Sequence, residues 1–252
     1  MKKWLTIVSV LLGFAVYSQN EGLFNRATSA YNEGDYEKAI ERYLEILDKG
    51  QHSAALYYNL GNSYYKLNQI APSIYYYEKA LLLQPNDPEI KTNLSYAKNM
   101  TLDAIEALPE TSLSRFYNSI IGLFTFDEWS YVAVGLLLLF VLTYLAFYYL
   151  RYSSHKRIAF VTSMISLILV VVCLVFAFMQ YRNFETDQPA IVFAQESVVK
   201  SEPNQRSTQV FVLHEGTKVN VLDQLEDYKK IQLVDGKTGW IQAEDVKLLK
   251  DF

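Results

Sequence analysis

Residues 54–87 read AALYYNLGNSYYKLNQIAPSIYYYEKALLLQPND, and the division of the chain follows from this stretch. Shifted by 34 residues, it finds a weaker copy of itself in residues 20–53. Gly34-Asp35-Tyr36 recurs as Asn68-Gln69-Ile70, Ala27 aligns with Gly61, Ala39 with Ser73, and Tyr43 with Tyr77. Self-similarity at such a period marks stacked helical hairpins. Asn68 stands where the first copy has the turn glycine, and asparagine enters the left-handed region more readily than most residues. Pro72 falls near the start of a helix, where proline is tolerated. A third stretch, 88–107, carries Leu94-Ser95 in place of Leu60-Gly61 and is expected to run on as one capping helix.

The spacing of Tyr57, Leu60, Gly61, Tyr64, Tyr77, Ala80 and Pro85 resembles the tetratricopeptide repeat. That resemblance implies two antiparallel helices per unit. Gly61 and Ala80 would be small where the helices meet, Tyr64 and Tyr77 would fill the gaps, and Pro85 would end the second helix. It also implies a concave groove lined by the first helix of each unit. In this register the groove offers Thr28, Tyr31, Asn32, Tyr58, Asn59, Asn62, Tyr65, Lys66, Asn93 and Tyr96. Such tyrosines and amides suit an extended peptide. Asn59, Asn62 and Asn93 are expected to be exposed amides that serve binding rather than folding. Of the Lys, Arg and Asn positions that clamp a terminal carboxylate in some relatives, only Asn59 matches, so no such clamp is expected. The module is placed at 19–112.

Apolar residues fall into blocks outside this module. Lys2 and Lys3 precede a short apolar run to Val16 and then Ser18, which reads as a secretory signal over 1–18, cleaved before Gln19, with an uncleaved signal anchor as the alternative. Residues 131–150 and 158–181 carry no charged side chain, and each is long enough to cross about 30 Å of hydrocarbon. Arg151 and Arg182 end them, and Trp129, Tyr131, Tyr148, Tyr149 and Tyr181 fringe them. The loop 151–157 holds Arg151, Lys156 and Arg157 and no acid, which places it in the cytoplasm and both flanking modules outside, in the periplasm of an inner-membrane protein. Neither span contains an ionisable relay residue, and the sole cysteine, Cys173, reads as apolar packing. Before the first span, Phe116, Ile120, Leu123 and Phe124 share a helical face, so 113–129 is expected to lie on the bilayer surface.

Past the second span the pattern becomes β. Gln209–Leu213 and Lys229–Leu233 alternate, and Asp235-Gly236 signals a tight turn. Five short strands in a small barrel are expected over 183–252. Leu213-x-x-Gly216-Thr217-x-Val219-x-Val221, Tyr228-x-x-Ile231 and Asp235-Gly236-Lys237-x-Gly239-Trp240-Ile241 resemble a bacterial SH3-like domain. Trp240 reads chiefly as packing, and Tyr228 as a ligand candidate that the resemblance leaves open.

The fold class expected is therefore multidomain: an all-α tetratricopeptide module, a two-helix transmembrane hairpin and a small all-β SH3-like barrel. That domain order resembles the BatE family of the Bacteroides aerotolerance system. The resemblance implies protein partners, among them Bat-type membrane proteins with von Willebrand A-type domains, a MoxR-type ATPase, and a role in stress tolerance. A net charge of -4 gives no nucleic-acid footprint. His52, His155 and His214 lie in different segments, and no phosphate loop, zinc spacing or nucleophile elbow occurs. A non-enzymatic scaffold without cofactor or metal is expected. The alternative is an anchor or sensor that holds peptidoglycan through the SH3-like domain.

Overall fold

The computed structural model describes residues 21–109 and 111–250. The secretory signal expected over 1–18 lies outside the described residues. The chain divides into two compact units, one built from the residues up to Leu108 together with those from Gln188 onward, the other Pro109–Asp187.

In the first unit, helix α1 occupies residues 21–32, α2 Tyr36–Asp48, α3 Ala54–Lys66, α4 Ile70–Leu83 and α5 Pro88–Lys98. The 34-residue register holds in three dimensions, since Ala27, Ala39, Tyr43, Gly61, Ser73 and Tyr77 are all buried. The turns match as well: Gly34 has φ +85° and Asn68, at the equivalent position, has φ +57°. Ser53 caps α3 through the Leu56 N–H, and Asp87 caps α5 through the N–H groups of Glu89 and Ile90, with Pro88 in the first turn.

One expectation fails here. The capping helix 88–107 stops at Lys98, and residues 101–108 form an irregular strap along the barrel. Its side chains find better partners there than a further helical turn offers. Asp103 is hydrogen-bonded to the barrel, Ile105 packs on the barrel core, and the Leu108 N–H donates to the Val234 carbonyl (3.2 Å).

The barrel holds seven antiparallel strands rather than five: β1 Pro189–Val192, β2 Glu196–Lys200, β3 Gln209–His214, β4 Lys218–Leu225, β5 Tyr228–Gln232, β6 Thr238–Gln242 and β7 Val246–Leu248. Their order is β3-β2-β6-β5-β4-β1-β7. Strands as short as β7 show no alternation of their own, and pairing with β1 alone defines them. Residues from every strand meet in one core that includes Val192, Val199, Leu213, Val219, Ile231 and Ile241. The Asp235-Gly236 turn is present, with Gly236 at φ +85°. The domain starts at Pro189 instead of 183, because the preceding helix continues to Thr186.

The second unit contains α6 (Ser112–Ile121), α7 (Phe126–Tyr149) and α8 (Ser153–Thr186). Both α7 and α8 are long and apolar enough to cross a bilayer. At 1.5 Å per residue they measure about 36 and 51 Å. The expected surface helix 113–129 is broken: Thr125 and Glu128 form a capping box that starts α7, so Phe126–Trp129 belongs to the long helix. The loop expected at 151–157 narrows to residues 150–152, because helix resumes at Ser153. On α8, Ala159, Ser163, Ser166, Val170, Cys173 and Ala177 are buried at alternating spacings of four and three, which keeps them on one face. Ser166 Oγ donates across the seam to the Leu136 carbonyl (2.6 Å), and Cys173 packs with Trp129, Ala133 and Ala177.

Candidate binding surfaces

The helical cleft grows from one repeated contact. In the first repeat, Thr28 Oγ1 lies 3.0 Å from the Tyr43 hydroxyl. Thirty-four residues on, Asn62 replaces Thr28 and its Oδ1 accepts from the Tyr77 hydroxyl (2.6 Å). The longer side chain also reaches α5, where Asn93 Nδ2 donates to the same Asn62 oxygen (2.9 Å) and to the Tyr58 hydroxyl (2.9 Å). Tyr58 in turn donates to Glu89 Oε1 (2.9 Å). Burial holds the Tyr77 phenol well above its ordinary pKa, so it stays a neutral donor.

This network orients both amides. Asn62 Oδ1 is taken by two donors, which turns its Nδ2 away from them. Both Asn93 Nδ2 hydrogens are used, one on Asn62 Oδ1 and one on the Tyr58 hydroxyl. These side chains stand in a cleft of about 190 Å³ lined by Tyr31, Asn62, Tyr65, Lys66, Tyr77, Asn93 and Tyr96.

Of the residues expected in the groove, Tyr31, Asn62, Tyr65, Lys66, Asn93 and Tyr96 come together here. Tyr58 stands behind the lining as a network member, and Asn59 does not line the cleft. Asn32 is exposed outside the lining, and Thr28 is engaged with Tyr43. Asn62 and Asn93 are half-buried and internally bonded, so they support the fold as well as line the cleft, contrary to the expectation of free amides. Tyr77 was missed as a cleft residue, since its alignment with fully buried Tyr43 signals only core.

On the barrel, Gly239 and Ile241 face the core, so Trp240 lies on the outer face and is half-buried. Its cross-strand neighbours are Lys230 on β5 and Lys200 on β2. Tyr228 shares that face one diagonal step away, opposite Gln242. Trp240 therefore belongs to a basic aromatic surface rather than to the core.

A third arrangement has no signal in the linear pattern. Glu78 on α4 is buried, with Lys98 Nζ and Lys218 Nζ each 2.7 Å from one of its oxygens. Burial would raise this carboxyl, but the charges of Lys218 and Lys98 outweigh that effect and hold it below the ordinary glutamate range. Asp103 accepts from the His214 backbone N–H (2.7 Å) and Thr217 Oγ1 (2.6 Å), and lies 2.7 Å from His214 Nδ1. Burial again acts upward, and these bonds hold the carboxyl low.

The geometry defines a helical-repeat module joined to a small β-barrel, and comparison with known families agrees. The tetratricopeptide repeat model matches residues 54–87, and the bacterial SH3 domain model matches residues 198–247. No curated protein matches the chain. Both families support a protein-interaction or peptidoglycan-binding role, and the two apolar helices suggest anchoring in a membrane.

Proposed function

We propose that this chain is a non-enzymatic adaptor of the bacterial inner membrane, with its repeats and barrel in the periplasm, that recruits a protein partner by holding an extended segment in the Tyr31–Asn62–Tyr96 cleft. The observation that carries this reading is a polar, aromatic cleft whose Asn62 and Asn93 are fixed by hydrogen bonds to Tyr77 and Tyr58. A cleft organised before binding loses little entropy when it fills. The domain order fits a Bat-type complex, whose von Willebrand A-type membrane proteins are the partners of choice. Topology is supported from two directions. The helices and barrel share a core, which cannot straddle a bilayer, so an even number of spans separates them. Arg151, Lys156 and Arg157 between the spans favour the cytoplasm.

The test is affinity purification from solubilised membranes with Lys66→Ala/Tyr96→Ala set against Tyr228→Ala/Trp240→Ala. Loss of the von Willebrand A-type partner only in the first variant supports the cleft. Retention there, with loss of co-sedimentation with sacculi in the second, moves the function to the barrel face and to peptidoglycan.

A further inference from the structure

A stacked repeat array exposes an apolar face at its last helix and needs a cap. Here the helix expected to supply that cap stops at Lys98, yet Leu94 and Ala97 of α5 are buried. The covering comes from the far end of the chain. Strand β1 alternates between two cores: Ala190 and Val192 enter the barrel, whereas Ile191 points the other way into the cluster of Ile74, Tyr77 and Leu94. Leu249 joins the same helical cluster, and both it and Ile191 are fully buried. Around this apolar patch, Phe193 packs edge-on to Tyr75 (5.5 Å), and Glu78 and Asp103 bind the barrel as described. Gly216, at φ +85°, sits so close to α4 that a Cβ there would meet Ile70 and Ile74 side-chain carbons at 3.0 Å.

We infer that the barrel is the obligatory cap of the repeats, so that residues 21–108 complete their fold only after residues 188–250 have arrived on the same side of the membrane. Assembly of the cleft then reports that both spans have been inserted. Removing the barrel would uncover the cluster of Tyr75, Leu94 and Ala97 that Ile191 and Leu249 join, and would leave Glu78 with Lys98 as its one remaining cation of the two. This inference is independent of what the cleft binds.

The experiment uses the full chain in mild detergent. A protease recognition sequence placed between Asp187 and Gln188 allows the barrel to be cut from its tether. The cut barrel should remain bound to the repeats through washing, and its release on cleavage overturns the inference. Hydrogen exchange supplies the second arm. Val199 lies in the barrel core and outside the helical cluster. Val199→Asp should unfold the barrel and raise exchange in α4 and α5 by at least about tenfold, with α7 and α8 unchanged. Unchanged protection of α4 and α5 beside an unfolded barrel also overturns it. If that variant fails to accumulate, the cleavage arm decides.

Discussion

Gly61→Ala sets two known effects against each other. In an ordinary helix interior, replacing glycine by alanine gains about 1 kcal/mol. At this position a Cβ would stand 2.6, 2.7 and 2.9 Å from Tyr77 Cδ1, Cε1 and Cγ. Carbon atoms prefer about 3.5–4.0 Å, so the ring must retreat by nearly an ångström. Tyr77 has little room to do so, because it is 1% exposed and its hydroxyl is held 2.6 Å from Asn62. The α3 backbone is held too, since Ser73 Oγ donates to the Gly61 carbonyl (2.9 Å). Overpacking of this kind costs about 1–3 kcal/mol. Three sub-contact distances to a fixed ring place this case toward the upper end, so the net loss should be about 1–2 kcal/mol. Urea-dependent pulse proteolysis of the full chain, read on fragments from 54–83, measures it. Gly61→Leu should be worse, and Tyr77→Leu should relieve much of the Gly61→Ala penalty in a double-mutant cycle. A Gly61→Ala protein as stable as wild type, or more so, would refute the close approach of α3 to α4 and with it the repeat register.

Asn62→Ala should lower stability by about 1–3 kcal/mol in the same assay, because the buried Tyr77 hydroxyl and Asn93 Nδ2 lose their acceptor. Tyr96→Ala, on the cleft rim, should stay within about 0.5 kcal/mol. Acid should loosen the joint between barrel and repeats. Glu78 and Asp103 are held below their ordinary pKa values, so their contribution is complete above the unfolded-state values near about 4 and is lost as pH falls through the folded-state values. Stability measured from pH 7 to pH 3 should fall at the acid end, and Glu78→Gln should flatten that fall while lowering the plateau.

The sequence alone determined each local element whose cause is local. The 34-residue period places the small and large residues of the helix pairs, because a helix repeats its faces every few residues whatever surrounds it. Asn68 could be read as a turn residue from its own backbone preference, and it has positive φ. Two uncharged stretches identify helices able to span a bilayer, because hydrocarbon sets their length and composition. The tertiary structure decided what depends on residues distant in the chain. Helix α5 ends at Lys98 because Asp103 and Ile105 belong to a barrel whose nearest described strand begins at Pro189. Asn62 and Asn93 look like solvated amides until α4 brings Tyr77 against Asn62 and α5 sets Asn93 against Tyr58 of α3. Ile191 reads as one more alternating strand residue, yet it is fully buried in the core of the helices, because only docking gives the second face of β1 something to cover.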